Sequence, residues 1–169
     1  MFSIGDKIIY GSEGVYLIAE YTTSPIDKND KRQFYLLSPM HGPTGNVIIT
    51  PVDNDKVRMR HVMSRDEALT FIDSIPEIAI LTVDREKSRR EIYKATLASG
   101  KGSDLISIIK TVRERREICI QQKKRLSDSD TDYEKKAKFC LYGELAVALG
   151  IMFDCVEDFI KKRLDEQSV

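Results

Sequence analysis

The 169-residue sequence contains no tryptophan, three cysteines and no net charge. Cys119, Cys140 and Cys155 are odd in number, widely spaced and without a Cys-x-x-Cys pair, so the sequence indicates neither a disulfide framework nor a zinc site. No apolar run approaches the roughly 18 residues that a membrane-spanning helix needs. The segment Met1–Asp6 lacks the basic and apolar regions of a secretory signal. We therefore expect a folded, cytoplasmic protein without a metal ion.

Catalytic chemistry is also sparse. His41 lies in a loop rich in proline and glycine, His61 lies at a strand end, and neither has a Ser or Cys at a recognisable spacing. Gly11–Gly14 lacks the Gly-Lys-Ser/Thr of a phosphate loop. Ser99–Ser103 is glycine-rich and contains a lysine, which is compatible with an anion site, but the pattern favours a turn between helices. We expect a protein that is not an enzyme and that needs no cofactor.

The first sixty residues have the pattern of short strands. Apolar segments rich in Ile, Val, Tyr and Phe alternate with clusters of Gly, Pro, Asn, Asp and Ser, which favour turns. Four or five antiparallel strands in so short a segment favour a small, half-open β-barrel over a sandwich. The predicted strands are Ile4–Tyr10, Gly14–Tyr21, Arg32–Ser38 and Asn46–Thr50.

After Val62 the apolar residues recur with the period of a helix. Ser64 and Glu67 form a capping-box pattern, and Pro76 ends the helix that follows. Ser103 is the predicted cap of a long third helix, and Gly150 closes a fourth. The other predicted boundaries are a second helix over Asp84–Leu97, a cap at Ser127 and Asp130 for the fourth, and Asp154 opening the fifth.

These patterns predict an α+β protein in which a small N-terminal antiparallel β-barrel precedes an all-α helical bundle. The predicted division is a β-barrel over 1–62, a connecting helix and linker over 63–80, and a helical domain over 81–169.

The neutral total hides a basic stretch. From Arg85 to Arg125 there are thirteen Lys or Arg and five Asp or Glu, whereas residues 126–169 hold six bases and ten acids. A local basic surplus can attract a polyanion to one face of a neutral protein, although a solvated helix surface gives the same pattern. The sequence offers no helix-turn-helix or zinc finger, so any DNA binding is expected to be weak and tolerant of sequence.

Several short motifs, in order along nearly the whole chain, resemble the CarD/CdnL family of bacterial transcription regulators. Their N-terminal module is shared with the polymerase-interacting domain of transcription-repair coupling factors. The matching segments are Phe2–Tyr10, Glu13–Val15, Ile49–Asn54, Val57–Arg60, Ser88–Arg90, Tyr93–Lys94, Leu97–Gly100 and Tyr142–Ala146.

The resemblance implies that a Tudor-like barrel docks on the β subunit of RNA polymerase by extending the edge of its sheet. The implied docking strand has backbone groups for affinity and alternate side chains for specificity. Ser24 and Ile49 stand where some relatives have arginines. The predicted polymerase-binding residues are Asn46, Val47, Ile48, Ile49, Thr50 and Pro51. Either Val47 and Ile49 or their alternates should face the barrel core.

On the helical domain, the resemblance implies contact with promoter DNA. Arg89 and Arg90 match the family's Ser-Arg-Arg motif, Lys136 matches a basic position, and Lys138 is a charged neighbour. Many relatives carry a tryptophan that wedges into the minor groove, and Lys87 occupies that place here. The predicted DNA-binding residues are Arg85, Lys87, Arg89, Arg90, Lys94, Lys136 and Lys138.

Together these features predict a monomeric regulator that binds polymerase and promoter DNA and changes the stability of the open complex. An alternative from another class is an adaptor that binds polymerase and recruits a protein, with its basic surface merely solvated. An RNA-binding helical domain is a third possibility.

Overall fold

A computed structural model describes residues 1–43 and 45–168. The chain divides into two compact units, Met1–Val62 and Met63–Val169, of which the last residue lies outside the described part. The first unit is built from strands and the second from helices. The predicted α+β class, with a β unit before a helical unit, is confirmed.

The β unit is one antiparallel sheet of five strands. The strands are β1 (Lys7–Tyr10), β2 (Val15–Thr22), β3 (Phe34–Pro39), β4 (Ile48–Pro51) and β5 (Met59–His61). Their order across the sheet is β4-β3-β2-β1-β5, so β4 and β5 form its two edges. The sheet is therefore open and does not form a closed barrel.

One face of the sheet forms the core of the β unit. Side chains alternate between faces along a strand, and this register brings one set of alternate residues together across neighbouring strands. Tyr35 at the centre of the set is fully buried. The buried set is Ile8, Tyr10, Tyr16, Ile18, Tyr35 and Leu37.

The helical unit contains five α-helices within the described residues. They are α1 (Arg65–Ser74), α2 (Arg89–Ala98), α3 (Gly102–Gln121), α4 (Asp128–Leu149) and α5 (Val156–Gln167). Short 3₁₀ turns occupy Ile75–Glu77, Glu86–Ser88 and Phe153–Cys155. No single described helix is both long and apolar enough to cross a membrane; Asp128–Leu149 and Phe153–Gln167 pass such a test only when combined across a 97° bend.

Three of the predicted helix ends are confirmed. The Ser64 hydroxyl accepts the Glu67 amide, and the Glu67 carboxylate accepts the Ser64 amide, which is the reciprocal capping box. Ser127 caps α4 by accepting the Asp130 amide, and Gly150 ends that helix in the left-handed conformation with φ of 69°.

Three predicted helix starts are wrong. The second helix begins at Arg89 and not near Asp84, because the Ser88 amide and hydroxyl both donate to the Arg85 carbonyl and form a 3₁₀ turn. The cap of α3 is Lys101 and not Ser103, since the Lys101 carbonyl accepts the first amides of the helix. The fifth helix begins after a second 3₁₀ turn, with Cys155 at the cap position instead of Asp154.

The two glycines between α2 and α3 have different roles. Gly100 has φ of 64° and makes the left-handed turn that the sequence predicts. Gly102 is helical, and a Cβ atom there would lie 3.0 Å from the Phe71 ring. A side chain at this position would therefore require the Phe71 ring to shift by a few tenths of an ångström.

Residues of the predicted connecting segment 63–80 pack in the core of the helical unit. Ala68 and Ile72 of α1 are fully buried in the same cluster as Tyr93, Leu141 and other core residues. The Lys110 ammonium of α3 donates to the carbonyls of Ile75 and Ile78, at the end of the segment's helical part. A cation at this place adds hydrogen bonds to carbonyls at the end of a helix, where positive charge is favourable.

Candidate nucleic-acid interface

A buried carboxylate organises the region in which the predicted basic residues lie. The Asp130 side chain, in the first turn of α4, is fully buried. It accepts hydrogen bonds from the Tyr93 hydroxyl at 2.9 Å and the Ser127 hydroxyl at 2.7 Å. The Nε atoms of Arg89 and Arg115 lie 3.0 and 3.3 Å from its two oxygens. Three helices, α2, α3 and α4, thus meet at one carboxylate.

These contacts determine the protonation of the buried groups. Burial alone would raise the pKa of Asp130, but the hydrogen bonds from Ser127 and Tyr93 and the charges of Arg89 and Arg115 together lower it below 3.8. Burial and then the neighbouring Asp130 raise the pKa of the Tyr93 phenol, which therefore stays protonated and can donate. Asp130 is thus charged and paired at neutral pH.

A second carboxylate lies on the solvent side of the two arginines. Glu86, in the 3₁₀ turn before α2, has a side chain that is 69% exposed. It accepts from a terminal nitrogen of Arg89 and from Arg115 at 3.1 Å. The hydrogen bond from Arg89 lowers the pKa of Glu86. We call Glu86, Arg89, Arg115 and Asp130 the charge cluster; its two acids and two bases have no net charge.

The predicted DNA-binding residues near α2 fall into two groups. Arg85, Lys87, Arg90 and Lys94 are exposed, and Arg90 and Lys94 lie four residues apart on one side of α2. We call these four residues the basic face. The Arg89 side chain is only 10% exposed and belongs to the charge cluster. In this arrangement Arg89 positions the helices and is not presented to solvent as its neighbours are.

The two predicted lysines of α4 point in different directions, since residues two apart on a helix do not share a face. Lys136 is exposed, and its ammonium lies 5.3 Å from the centre of the Tyr133 ring, which packs 5.5 Å from Tyr93 of α2. Lys138 lies 3.4 Å from Glu134 and 3.5 Å from Glu157 of α5. The structure therefore brings Lys136 near α2, whereas Lys138 is paired with acids on α4 and α5.

Sequence reasoning did not find the cleft beside the charge cluster. It has a volume of about 490 Å³ and extends to the end of α3 and the start of α4. Four cations and the neutral polar side chains of Gln122 and Ser127 line it, and they come from positions far apart in the sequence. The residues that line the cleft include Glu86, Arg89, Arg115, Lys124, Arg125 and Ser127.

The predicted docking strand β4 lies at an edge of the sheet. The Val52 amide donates to the carbonyl of Gln33, the residue before β3. By alternation along β4, the N–H and C=O groups of Ile48 and Thr50 face β3. The N–H and C=O groups of Ile49 point away from β3, to the side of β4 that has no neighbouring strand. Pro51 has no N–H to donate on that side. The edge therefore has a narrow stretch of backbone that could pair with another strand, centred on Ile49.

The side chains of β4 separate into a core face and an outer face. Ile48 packs against the core of the β unit, and Thr50 is buried, where it accepts from Asn54 at 2.7 Å. Val47 is 51% exposed, Asn46 is exposed, and Ile49 is half-buried on the face opposite Ile48. Ile48 and Thr50 are thus the alternate pair that faces the core.

Comparison with known proteins adds no assignment: no protein-family model and no characterised protein matches the chain. Among the described residues, no group of three or more His, Cys, Asp or Glu side chains could hold a metal ion.

The lowered pKa of Asp130 predicts a pH dependence of stability. The unfolded carboxyl binds a proton near its ordinary pKa of 3.8, and the folded carboxyl binds it only at lower pH. The stabilising contribution is therefore complete above that pKa and is lost as the pH falls through the folded value. We expect the free energy of unfolding, followed by the helical circular dichroism signal, to decline as the pH falls below about 4.

Glu86 and Asp73 also have lowered pKa values, so the comparison that isolates Asp130 is with Asp130→Asn. Its free energy of unfolding should depend less steeply on pH over the same range. Equal slopes for the two proteins would contradict the assigned role of Asp130.

Proposed function

We propose that this protein is a transcription regulator of the CarD/CdnL type, which binds RNA polymerase through its β unit and promoter DNA through its helical unit. The observation that carries the proposal is the basic face, four exposed cations within residues 85–94, next to Arg89, whose own charge is neutralised within the charge cluster. Charges at several positions on one surface suit contact with a phosphate backbone. The ordered motifs along the chain connect that surface with the family.

The strand order supports the finer proposal of an SH3- or Tudor-like β unit. Strand β1 pairs with β2 on one side and with β5 on the other, so the first and last strands in sequence are neighbours. This arrangement leaves β4 as an edge that a strand of the polymerase β subunit could extend.

In the proposed mechanism the protein performs no chemistry and lowers the free energy of the open promoter relative to the closed one. A stabilisation of about 1–2 kcal/mol shifts that equilibrium roughly fivefold to thirtyfold. Tethering to polymerase raises the effective concentration of the helical unit at the promoter, so a weak and sequence-tolerant affinity for DNA suffices. The proposal places the protein in the cytoplasm, on the nucleoid, as a monomer.

The edge of β4 gives a test of the polymerase contact. Replacing Ile49 by proline removes the N–H that points to the open side, and the β3–β4 ladder keeps its hydrogen bonds because Ile49 does not donate to β3. We expect affinity for the isolated β subunit to fall by about tenfold or more, since a partner carbonyl loses its donor. Surface plasmon resonance with the full-length protein measures the change.

The matched control is Ile49→Ala, which removes the side chain but keeps the N–H. Its affinity should change by less than about threefold. If both variants lose the same affinity, the side chain and not the backbone edge makes the contact. If neither loses affinity, docking through β4 is wrong.

A specific observation favours the adaptor as a second candidate. Two of the predicted DNA contacts are already paired inside the protein, Arg89 with Asp130 and Lys138 with Glu134 and Glu157, which reduces the charge available to DNA. A gel shift on forked promoter DNA, with and without polymerase, separates the candidates. The regulator predicts a DNA-dependent shift that responds to substitution of the basic face, and the adaptor predicts none.

A further inference from the structure

The two arginines of the charge cluster are held in a fixed arrangement by their Nε atoms. Both Nε atoms contact the buried carboxylate of Asp130, at 3.0 Å from Arg89 and 3.3 Å from Arg115. This contact leaves one terminal nitrogen of Arg89 and both of Arg115 directed away from Asp130 to the solvent side, while the other terminal nitrogen of Arg89 donates to Ser127 at 3.4 Å. The buried carboxylate therefore presents two guanidinium groups toward one point.

The group at that point is the Glu86 carboxylate. It accepts from Arg89, and from the two terminal nitrogens of Arg115 at 3.1 and 3.5 Å. Glu86 is the most exposed member of the charge cluster, with 69% of its side chain in solvent, and it extends from a single 3₁₀ turn. Water reaches the exposed carboxylate and competes with the arginines for it. Glu86 can thus leave the arginines by rotating its own side chain.

The surroundings suit a phosphate in place of the carboxylate. Guanidinium groups bind carboxylate and phosphate oxygens with the same paired geometry. Lys124 and Arg125 line the same cleft of about 490 Å³ and add positive charge to it. Without the charge of Glu86 the cluster would carry one net positive charge. A phosphate diester, with one negative charge, would restore neutrality.

We propose that Arg89 and Arg115 form a phosphate-binding site that the Glu86 carboxylate occupies as an internal competitor. A phosphate group displaces Glu86, whose side chain then turns to solvent, and binds the same guanidinium nitrogens. The phosphate belongs either to a nucleic-acid backbone or to a free phosphate ester, because the site recognises their common group. For DNA the inference rests on the proposed function; for free phosphate it stands independently of it.

The site explains how Arg89 can contribute to anion binding while its side chain is mostly buried. With Glu86 bound, one terminal nitrogen of Arg89 donates to Glu86 and the other donates to Ser127. Only the nitrogen shared with Ser127 could then contact an external ligand. With Glu86 displaced, Arg89 and Arg115 act as a pair. Affinity should then depend on the competitor as well as on the arginines.

The test compares Glu86→Gln with Glu91→Gln in the full-length protein. Both substitutions remove one exposed acid near the start of α2, but Glu91 has no contact with the charge cluster among the described residues. Affinity for inorganic pyrophosphate is measured by calorimetry, and affinity for forked duplex DNA by fluorescence anisotropy. We expect E86Q to bind at least one probe about fivefold to tenfold more tightly at ~0.1 M salt, and E91Q to change by less than twofold.

Two further variants separate the guanidinium geometry from charge. In E86Q/R115K the net charge equals that of E86Q but the paired nitrogens of Arg115 are gone, so most of the gain should disappear. Glu86→Asp keeps the charge on a shorter side chain that reaches the arginines less well, and it should give a smaller gain than E86Q. Far-ultraviolet circular dichroism verifies that each variant retains the helices.

The outcomes distinguish the possible ligands. A gain for DNA alone assigns the site to backbone phosphates, whereas a gain for pyrophosphate as well assigns it to free phosphate esters too. Equal effects of E86Q and E91Q, or no gain in E86Q, would overturn the internal competitor. If the wild-type protein binds no DNA but E86Q gains pyrophosphate affinity, the proposed function fails and the phosphate site stands.

Discussion

Replacing Asp130 by alanine should lower the free energy of unfolding of the helical unit by about 3–5 kcal/mol. The substitution leaves the guanidinium groups of Arg89 and Arg115 without their shared buried partner and leaves the Tyr93 hydroxyl without an acceptor. The cost of uncompensated buried charge exceeds that of the missing contact itself. Urea unfolding of the full-length protein, followed by the helical circular dichroism signal, measures the loss.

The matched control for this prediction is Asp128→Ala in the same first turn of α4. Asp128 pairs with Arg125, but both side chains are more than four-fifths exposed, at 83% and 86%. Such a pair contributes less than about 1 kcal/mol. A comparable loss in the two variants would mean that the first turn of α4 matters for its charge alone and that the charge cluster has no special role.

Reversing two charges of the basic face, with Arg90→Glu and Lys94→Glu together, should weaken DNA binding by about a hundredfold at ~0.1 M salt. Each phosphate contact contributes close to one unit to the slope of log affinity against log salt, so the slope should become shallower by about two. Arg90 and Lys94 are exposed, so the fold should be retained. Fluorescence anisotropy over a range of salt concentrations gives both quantities.

The control for charge reversal is Lys161→Glu with Lys162→Glu on α5, which changes the net charge by the same amount at another exposed place. This variant should keep most of the affinity and the full salt slope. Affinity for polymerase should be unchanged in both. Should both double variants bind DNA equally weakly, the net charge of the protein and not the basic face would account for binding.

Local signals in the sequence were sufficient for much of the fold. The Ser64–Glu67 capping box and the Ser127 and Gly150 ends of α4 depend on residues within one helical turn, and each is confirmed. The alternation of apolar residues predicted four strands, and most of their predicted ends lie within two residues of the observed ends. The helix starts near Asp84 and Ser103 were wrong because 3₁₀ turns and main-chain bonds compete with the expected caps.

The candidate site was predictable only in part because its chemistry depends on contacts between distant residues. Composition located the basic stretch, and exposure of Arg85, Lys87, Arg90 and Lys94 agrees with a solvent-facing surface. Nothing local to Arg89 shows that Asp130, far along the chain, would bury and neutralise it. Gly102 is a similar case, since the Phe71 ring that lies close to it belongs to α1. That the basic residues and β4 contact DNA and polymerase stays a prediction.

The lifetime of the open promoter complex is the most direct test of the proposed regulator. In a reconstituted transcription reaction, the wild-type protein should lengthen that lifetime by about fivefold to thirtyfold. The variant with both Arg90→Glu and Lys94→Glu should still bind polymerase but lengthen it little. A lifetime unchanged by the wild-type protein, or lengthened equally by both proteins, would contradict the claim that the basic face stabilises the open promoter.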